Sequence, residues 1–165
     1  MDNLFSFLIP KCTTGYVIIF DMKPLIFRLI SSFSFAQDVS EKEVVKPIES
    51  LFKAMKSADS LGVKNVFSSS AMMQTFNKNN EIRTEKVEDF AKQVGSSKVG
   101  DLDERFTISK ILIDGNMASV WVPYRFYYKG NYSHCGVNSF QLAKLNNEWK
   151  IQYIIDTRRK ENCIK

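Results

Sequence analysis

The second half of the chain alternates apolar and polar residues in four segments separated by tight-turn sequences. The turns are Asp114-Gly115, Lys129-Gly130-Asn131 and Asn146-Asn147, and the segments are FTISKILI, MASVWVPYRFYY, YSHCGVNSFQLAKL and EWKIQYIIDTRR. Strand-like runs joined by such short turns are typical of antiparallel hairpins. The pattern predicts a four-stranded antiparallel meander.

The first half carries apolar residues at helical spacing instead. Ile48, Leu51, Phe52 and Met55 follow the i, i+3, i+4, i+7 pattern of one helical stripe. Proline inside a helix removes a hydrogen bond and clashes with the preceding turn. We therefore expect this helix to begin close to Pro47.

Two more helices and a strand are predicted before the meander. Asp59 or Ser60 can cap a short second helix, and Thr84 can cap a third that ends at Gly95. The segment MMQTF between them is a short strand candidate. Helices followed by a meander predict an α+β fold, with the helices packed on one face of the sheet.

The residues before the first helix have the pattern of an exported protein's leader. From Met22 the chain has a lysine, an apolar run, and Ser34-Phe35-Ala36 with small residues at the two positions that a signal peptidase recognises. We expect a signal peptide at 22–36. A longer membrane anchor that is never cleaved is the alternative.

The first 21 residues are interrupted by Lys11 and Asp21, so they lack the apolar length of a spanning helix. We interpret 1–36 as a leader whose first part is an overlong gene start, and 37–165 as the domain. A periplasmic or secreted protein with no stable membrane span after processing is the expectation.

Charge argues against a nucleic-acid partner. The chain has a formal net charge of +5 at pH 7, but its lysines and arginines are scattered, and Arg158-Arg159-Lys160 is the only dense run. Electrostatic binding of nucleic acid needs a basic stripe or patch on one face. None is expected here.

Strand parity predicts where the only histidine, His134, points. Successive side chains on a strand face opposite ways, so His134 and Asn138 share the face of the apolar Phe140. A two-residue turn at Asn146-Asn147 would pair Phe140 with Tyr153. The same parity puts Asp156 on the outer face.

The strand before the Lys129-Gly130-Asn131 turn has two registers. A three-residue turn places Tyr124 and Phe126 beside His134, whereas a two-residue turn places Trp121, Arg125 and Tyr127 there. We favour the first because it gives the more apolar inner face.

With these elements in place, residues 43–160 resemble the nuclear-transport-factor-2-like superfamily. Asp59 after the first helix, DGNMASVWV and the closing NNEWKIQYIIDTRR carry the resemblance. The run HCGVNSFQLAKL with EWKIQYIIDTRRKENC is further similar to the branch labelled "putative lumazine-binding", near the polyketide cyclases. The resemblance implies a curved sheet that wraps the helices as a cone with a cavity.

The same resemblance leaves function open, because these proteins include isomerases, dehydratases, cyclases and non-catalytic modules. We expect a secreted or periplasmic small-molecule-binding protein without established catalysis. The alternatives are an isomerase-, dehydratase- or cyclase-type enzyme using His134 with Tyr124, or a dimerisation and interaction module. With Asp156 outside, no carboxylate base is expected in the cavity.

The expected ligand is a small molecule, aromatic or anionic. Its binding residues are predicted to be aromatic and polar side chains of the inner face, with a guanidinium at the cavity mouth for a carboxylate or phosphate. They are Tyr124, Phe126, His134, Asn138, Phe140, Tyr153 and Arg159. One histidine without a cysteine or carboxylate cluster predicts no metal, and no cofactor is expected.

Two further features concern the cysteines and the outer face. Cys135 and Cys163 would be the only cysteines left after cleavage, and in an oxidising compartment they are disulfide candidates, with two free thiols as the alternative. Apolar residues on both faces of the second meander strand, Trp121 on one and Val120 on the other, predict a homodimer through the outer sheet face.

Overall fold

The computed structural model describes residues 23–77 and 79–163, with side chains from residue 40 onward. The expected alternative starts, Met1 and Met22, lie outside the described residues. The chain divides into two units, Met1–Phe35 and Ala36–Lys165. All strands belong to the second unit.

The elements follow one another as helices, a strand pair, a helix and a five-strand run. The helices among the described residues are α1 (Lys23–Lys56), α2 (Ser60–Val66) and α3 (Val87–Gly95). The seven strands are β1 (Phe67–Phe76), β2 (Ile82–Glu85), β3 (Leu102–Phe106), β4 (Lys110–Asp114), β5 (Met117–Tyr128), β6 (Asn131–Leu145) and β7 (Glu148–Arg159).

Helix α1 passes through the proline that was expected to mark its beginning. Pro47 lies inside the helix, so the predicted start is wrong. Val44, Ile48 and Leu51 on either side of it are fully buried. Tertiary packing of this stripe therefore outweighs the hydrogen bond that proline cannot make.

The second helix begins as expected and the third does not. Asp59 caps α2, and its Oδ1 accepts a hydrogen bond of 2.8 Å from the backbone N–H of Gly62. Thr84 lies in β2 rather than at a helix cap, and α3 begins after Lys86 without a side-chain cap. Gly95 ends α3, as predicted.

The strands form one curved sheet whose order confirms the α+β prediction. The order is β2-β1-β7-β6-β5-β3, with β4 also paired to β5. Neighbours are antiparallel except for β1 and β7, which are parallel. The first predicted meander strand is found as β4, and β3 before it is an additional strand; both pair with β5.

Two irregularities decide which side chains face inward. Between β6 and β7 the register shifts between Gln141 and Leu142, so Phe140 lies opposite Ile154 and Asn138 opposite Asp156. The predicted pairing of Phe140 with Tyr153 is therefore wrong. Gln152 is the extra residue, and its side chain is bound on β1 by the hydroxyl of Ser68 and the carbonyl oxygen of Ser70.

The second irregularity lies between β5 and β6. The turn has two residues, because Tyr128 pairs with Asn131, but a shift next to Tyr127 then pairs Phe126 with His134. The turn length was wrong and the favoured inner face was right, since the bulge restores the register of a three-residue turn. Helices and sheet enclose one hydrophobic core on this face, with Phe140 and Leu142 at its centre.

Candidate functional site

The helices and the inner face of the sheet leave a cavity of about 690 Å³. Leu51, Phe52 and Met55 of α1 and Phe90 of α3 contribute apolar walls. The described sheet residues add a set of polar side chains, which we call the polar cluster. It consists of Glu104, Tyr124, His134, Asn138, Asp156 and Arg158.

Asp156 is the centre of one half of the polar cluster. It is 8% exposed, and its Oδ2 accepts hydrogen bonds from the Arg158 Nε at 2.8 Å and the Tyr124 hydroxyl at 3.1 Å. The ion pair with Arg158 compensates for burying the carboxylate. The Tyr124 hydroxyl also lies 3.0 Å from the carbonyl oxygen of Thr157.

Gly136 makes this arrangement possible. It is the cross-strand partner of Tyr124, and a Cβ atom added there would overlap the carbonyl oxygen of Thr157 and touch the tyrosine ring. The missing side chain lets the ring of Tyr124 cross over β6 toward β7. Burial raises the pKa of Tyr124, and the charge of Asp156 adds to this, so the phenol stays a hydrogen-bond donor.

Glu104 and Asn138 form the other half of the polar cluster. The Nδ2 of Asn138, which is 4% exposed, donates a hydrogen bond of 2.7 Å to the Oε1 of Glu104. Burial raises the pKa of Glu104 to about 7 against this opposing bond, and the charge of Asp156 adds to the rise. Glu104 can therefore donate or accept a proton near neutral pH.

His134 lies between two aromatic rings at the edge of the polar cluster. Its ring centroid is 5.1 Å from that of Phe126 and 5.7 Å from that of Tyr124, and its Nδ1 is 3.0 Å from the Ser133 hydroxyl. Burial lowers the pKa of His134, and the charge of Arg158 lowers it further. A neutral imidazole follows at neutral pH.

Four of the seven predicted binding residues line the cavity, namely Tyr124, Phe126, His134 and Asn138. Phe140 is fully buried in the core, edge-on to Phe52 at 6.2 Å between centroids. The hydroxyl of Tyr153 donates to the Oε1 of Gln74 at 2.7 Å on the opposite face. Arg159 lies opposite Cys135 on that face too, so the prediction that it shares the face of His134 is wrong. The arginine that shares this face and lines the cavity is Arg158.

Three residues of the polar cluster were missed by the sequence analysis. Asp156 and Arg158 were assigned to the outer face because the bulge at Gln152 was not foreseen. Glu104 lies in β3, a strand that was not predicted. The signal that would have found this strand is the alternation of apolar and charged residues in Leu102-Asp103-Glu104-Arg105-Phe106. It puts Glu104 on the same face as Leu102 and Phe106.

The Cys135–Cys163 disulfide is present, with a Cα–Cα distance of 5.8 Å. It ties the segment after β7 to the outer face of β6. The described residues contain no group of three or more His, Cys, Asp or Glu side chains placed to hold a metal ion. Nor does any helix in the described part of the chain have the length and apolarity to cross a membrane.

Comparison with known proteins agrees with this architecture. The family model described as "Putative lumazine-binding" matches residues 39–153. No curated protein matches the sequence.

Several solved structures are similar to this chain at low identity. An "NTF2-like protein of unknown function" from Shewanella baltica is 17% identical over 74% of this chain and 95% of its own, with a TM-score of 0.61. Another from Silicibacter pomeroyi is 15% identical over 74% and 98%, with a TM-score of 0.63. A "domain of unknown function with a cystatin-like fold" from Nostoc punctiforme is 16% identical over 74% and 78%, with a TM-score of 0.60. These likenesses concern the fold alone.

Proposed function

This chain belongs to the family described as "Putative lumazine-binding", and we propose that its cavity binds a small, flat molecule with hydrogen-bonding groups along one edge. The observation that carries the proposal is the adjacent pair of Glu104 and Asn138 inside a cavity with aromatic and aliphatic walls. A cavity of about 690 Å³ lies in the range of small-molecule sites.

The half of the polar cluster formed by Glu104 and Asn138 suits the edge of a heteroaromatic ring. Oε1 of Glu104 accepts the bond from Asn138, which leaves Oε2 and the Asn138 carbonyl for a ligand. Phe126 and Tyr124 supply ring faces beside them. Lumazine, the molecule in the family's description, is a bicyclic ring system with N–H and C=O groups along one edge, and it is the natural first probe.

Lumazine binding can be measured by isothermal titration calorimetry with the full chain. Glu104→Gln replaces the free carboxylate oxygen with an amide donor, and Asn138→Ala removes the amide carbonyl, so each variant loses an acceptor for the ligand and should weaken binding about tenfold. Glu85→Gln is the matched control: it removes a carboxylate that lines the cavity outside the polar cluster, and affinity should stay within twofold. Absence of binding, or equal affinity in all four proteins, contradicts the proposal.

A proton-transfer enzyme is the second candidate, and one observation favours it. Glu104 has a pKa of about 7 and faces a cavity large enough for a substrate. A carboxyl group with such a pKa suits general acid–base catalysis. The site then resembles the isomerase-type alternative, with Glu104 in the role first given to His134.

Deuterium incorporation separates the two candidates. A cyclic ketone such as 2-tetralone, incubated with the protein in D2O and followed by proton NMR, should exchange its acidic C–H faster than in buffer if Glu104 is a base. Glu104→Gln should then lower the exchange rate by two or more orders of magnitude, whereas a pure binding protein gives no acceleration in either form.

The cellular location is a proposal as well. The protein is proposed to act in the periplasm or outside the cell, which is supported by the Cys135–Cys163 bridge and the leader pattern that ends at Ala36. Expression with export in a Gram-negative host should yield a mature chain beginning at Gln37 by intact mass spectrometry. A chain that retains residues 22–36 contradicts it.

A further inference from the structure

The face of the sheet opposite the cavity carries three arginines on one line across the strands. Arg105 of β3 lies directly opposite Arg125 of β5, Arg125 opposite Cys135 of β6, and Cys135 opposite Arg159 of β7. Neighbouring strands are about 4.8 Å apart, so this arginine row is about 14 Å long.

The arginine row is poorly compensated by protein carboxylates. Asp103 pairs with Arg105, Nε to Oδ2 at 3.0 Å, but its other oxygen is 2.9 Å from the Lys56 Nζ. In the described ranges no carboxylate lies within ion-pair distance of Arg125 or Arg159. Like charges directly opposite each other on neighbouring strands are destabilising. The Arg105–Arg125 pair is therefore a place where a bound anion would be favourable.

A second cavity, of about 240 Å³, lies between these two arginines. The walls are completed by Phe106, Thr107, Pro123, Tyr124 and Tyr127. The guanidinium of Arg105 is stacked over the Tyr127 ring at 4.1 Å from its centroid, and its Nε–H is bound to Asp103, so the group is oriented and its terminal Nη groups are left for a ligand. The backbone N–H of Thr107 is bound to the carbonyl oxygen of Pro123 at 3.0 Å, so the wall between the two strands is held in place.

We propose that this second cavity is a binding site for a phosphate group. A phosphate dianion matches two guanidinium groups in charge and in its capacity for bidentate hydrogen bonds, whereas a single carboxylate would neutralise only one of them. The two arginines lie on the face opposite the large cavity and take no part in the function proposed there, although Tyr124 lines both cavities. The phosphate can belong to a free phosphorylated molecule or to a lipid whose headgroup is a phosphate monoester, since the group recognised is then the same.

The test uses inorganic phosphate and the full chain at constant ionic strength. The arginine Nε–H signals are followed by NMR as chloride is replaced by phosphate up to 10 mM. Saturable shifts at Arg105 and Arg125 are expected, and Arg125→Gln should weaken phosphate binding at least tenfold. Lys110→Gln, a charge removed from the same face opposite Trp121, is the matched control and should leave affinity within twofold.

Arg105→Gln repeats the test from the other side of the cavity, in case either variant folds poorly. A parallel arm measures sedimentation with vesicles that contain phosphatidic acid, whose headgroup is a phosphate monoester. If the protein binds the vesicles but not inorganic phosphate, and Arg125→Gln abolishes vesicle binding, the site is assigned to a lipid headgroup. Absence of saturable binding in both arms, or affinity that Arg125→Gln leaves unchanged, overturns the proposal.

Discussion

Protonation of Glu104 should give the protein a pH dependence of stability that one substitution removes. The pKa of Glu104 is about 7 in the folded chain, against an ordinary value of 4.5. Between these values the folded chain holds a proton that the unfolded chain has released. The stability associated with that proton is complete below about pH 4.5 and is lost as the pH rises through about 7.

Linkage gives the magnitude. With these two pKa values, the contribution of Glu104 to the free energy of unfolding falls by about 2.5 kcal/mol between pH 5 and pH 8. Glu104→Gln keeps an oxygen that can accept the bond from Asn138 but has no proton to lose. The free energy of unfolding of the variant, minus that of the wild type, should therefore rise by about 2.5 kcal/mol over this range.

Guanidinium titrations at pH 5 and pH 8, with the disulfide intact, measure this difference. The lowered pKa of His134 acts in the opposite direction, because its stability is lost as the pH falls below its usual 6.5, but this contribution is present in both proteins and cancels. Asn138→Ala is the informative control. Its amide bond lowers the pKa of Glu104, so its removal should enlarge the pH dependence. A Gln-minus-wild-type difference that is equal at both pH values would show that Glu104 is charged throughout, and would refute the argument.

Three further predictions concern the bridge, the core and the outer face. Cys163→Ser opens a span of 28 residues and should lower the free energy of unfolding by about 3–4 kcal/mol, as should dithiothreitol with the wild type; denaturant curves that coincide would contradict this. Phe140→Ala removes a fully buried ring and should cost about 3–5 kcal/mol in the same titration, and a cost below about 1 kcal/mol would place the ring outside the core. The predicted homodimer through the outer face should dissociate in Trp121→Lys, since Trp121 is 48% exposed there, and a wild type that sediments as a monomer would contradict it.

The sheet could be predicted from the sequence because its turns are local and chemically specific. Asn146 and Asn147 have the positive φ angles of a two-residue hairpin turn, as asparagine tolerates, and Gly115 has one in the turn after Asp114. The helical boundaries were harder, because they depend on tertiary packing. Pro47 is typical of a helix start, yet burial of Val44 and Ile48 on either side of it stabilises a helix that continues through it.

The inner face of β5 and β6 was predicted correctly through two errors that cancel. The turn at Lys129-Gly130 is one residue shorter than assumed, and the bulge beside Tyr127 adds one back. Apolar patterning decided the correct choice, because a register that buries Phe126 and Tyr124 is more stable than one that buries Arg125. Burial thus constrained the register more strongly than the turn sequence did.

On β7 nothing in the pattern reveals the extra residue, and this is why Asp156 and Arg158 were missed. Ile154 and Ile155 are equally apolar neighbours, so either can face the core on patterning alone. The choice is made by Gln152, whose side chain is bound by Ser68 and Ser70 on β1, a strand about 80 residues earlier in the chain. With this long-range polar anchor in place, Ile154 rather than Ile155 packs in the core. Asp156 and Arg158 then point into the cavity. A one-residue change of register inverts every later side chain, and here it adds the Asp156–Arg158 ion pair to a cavity that already holds Glu104, His134 and Asn138.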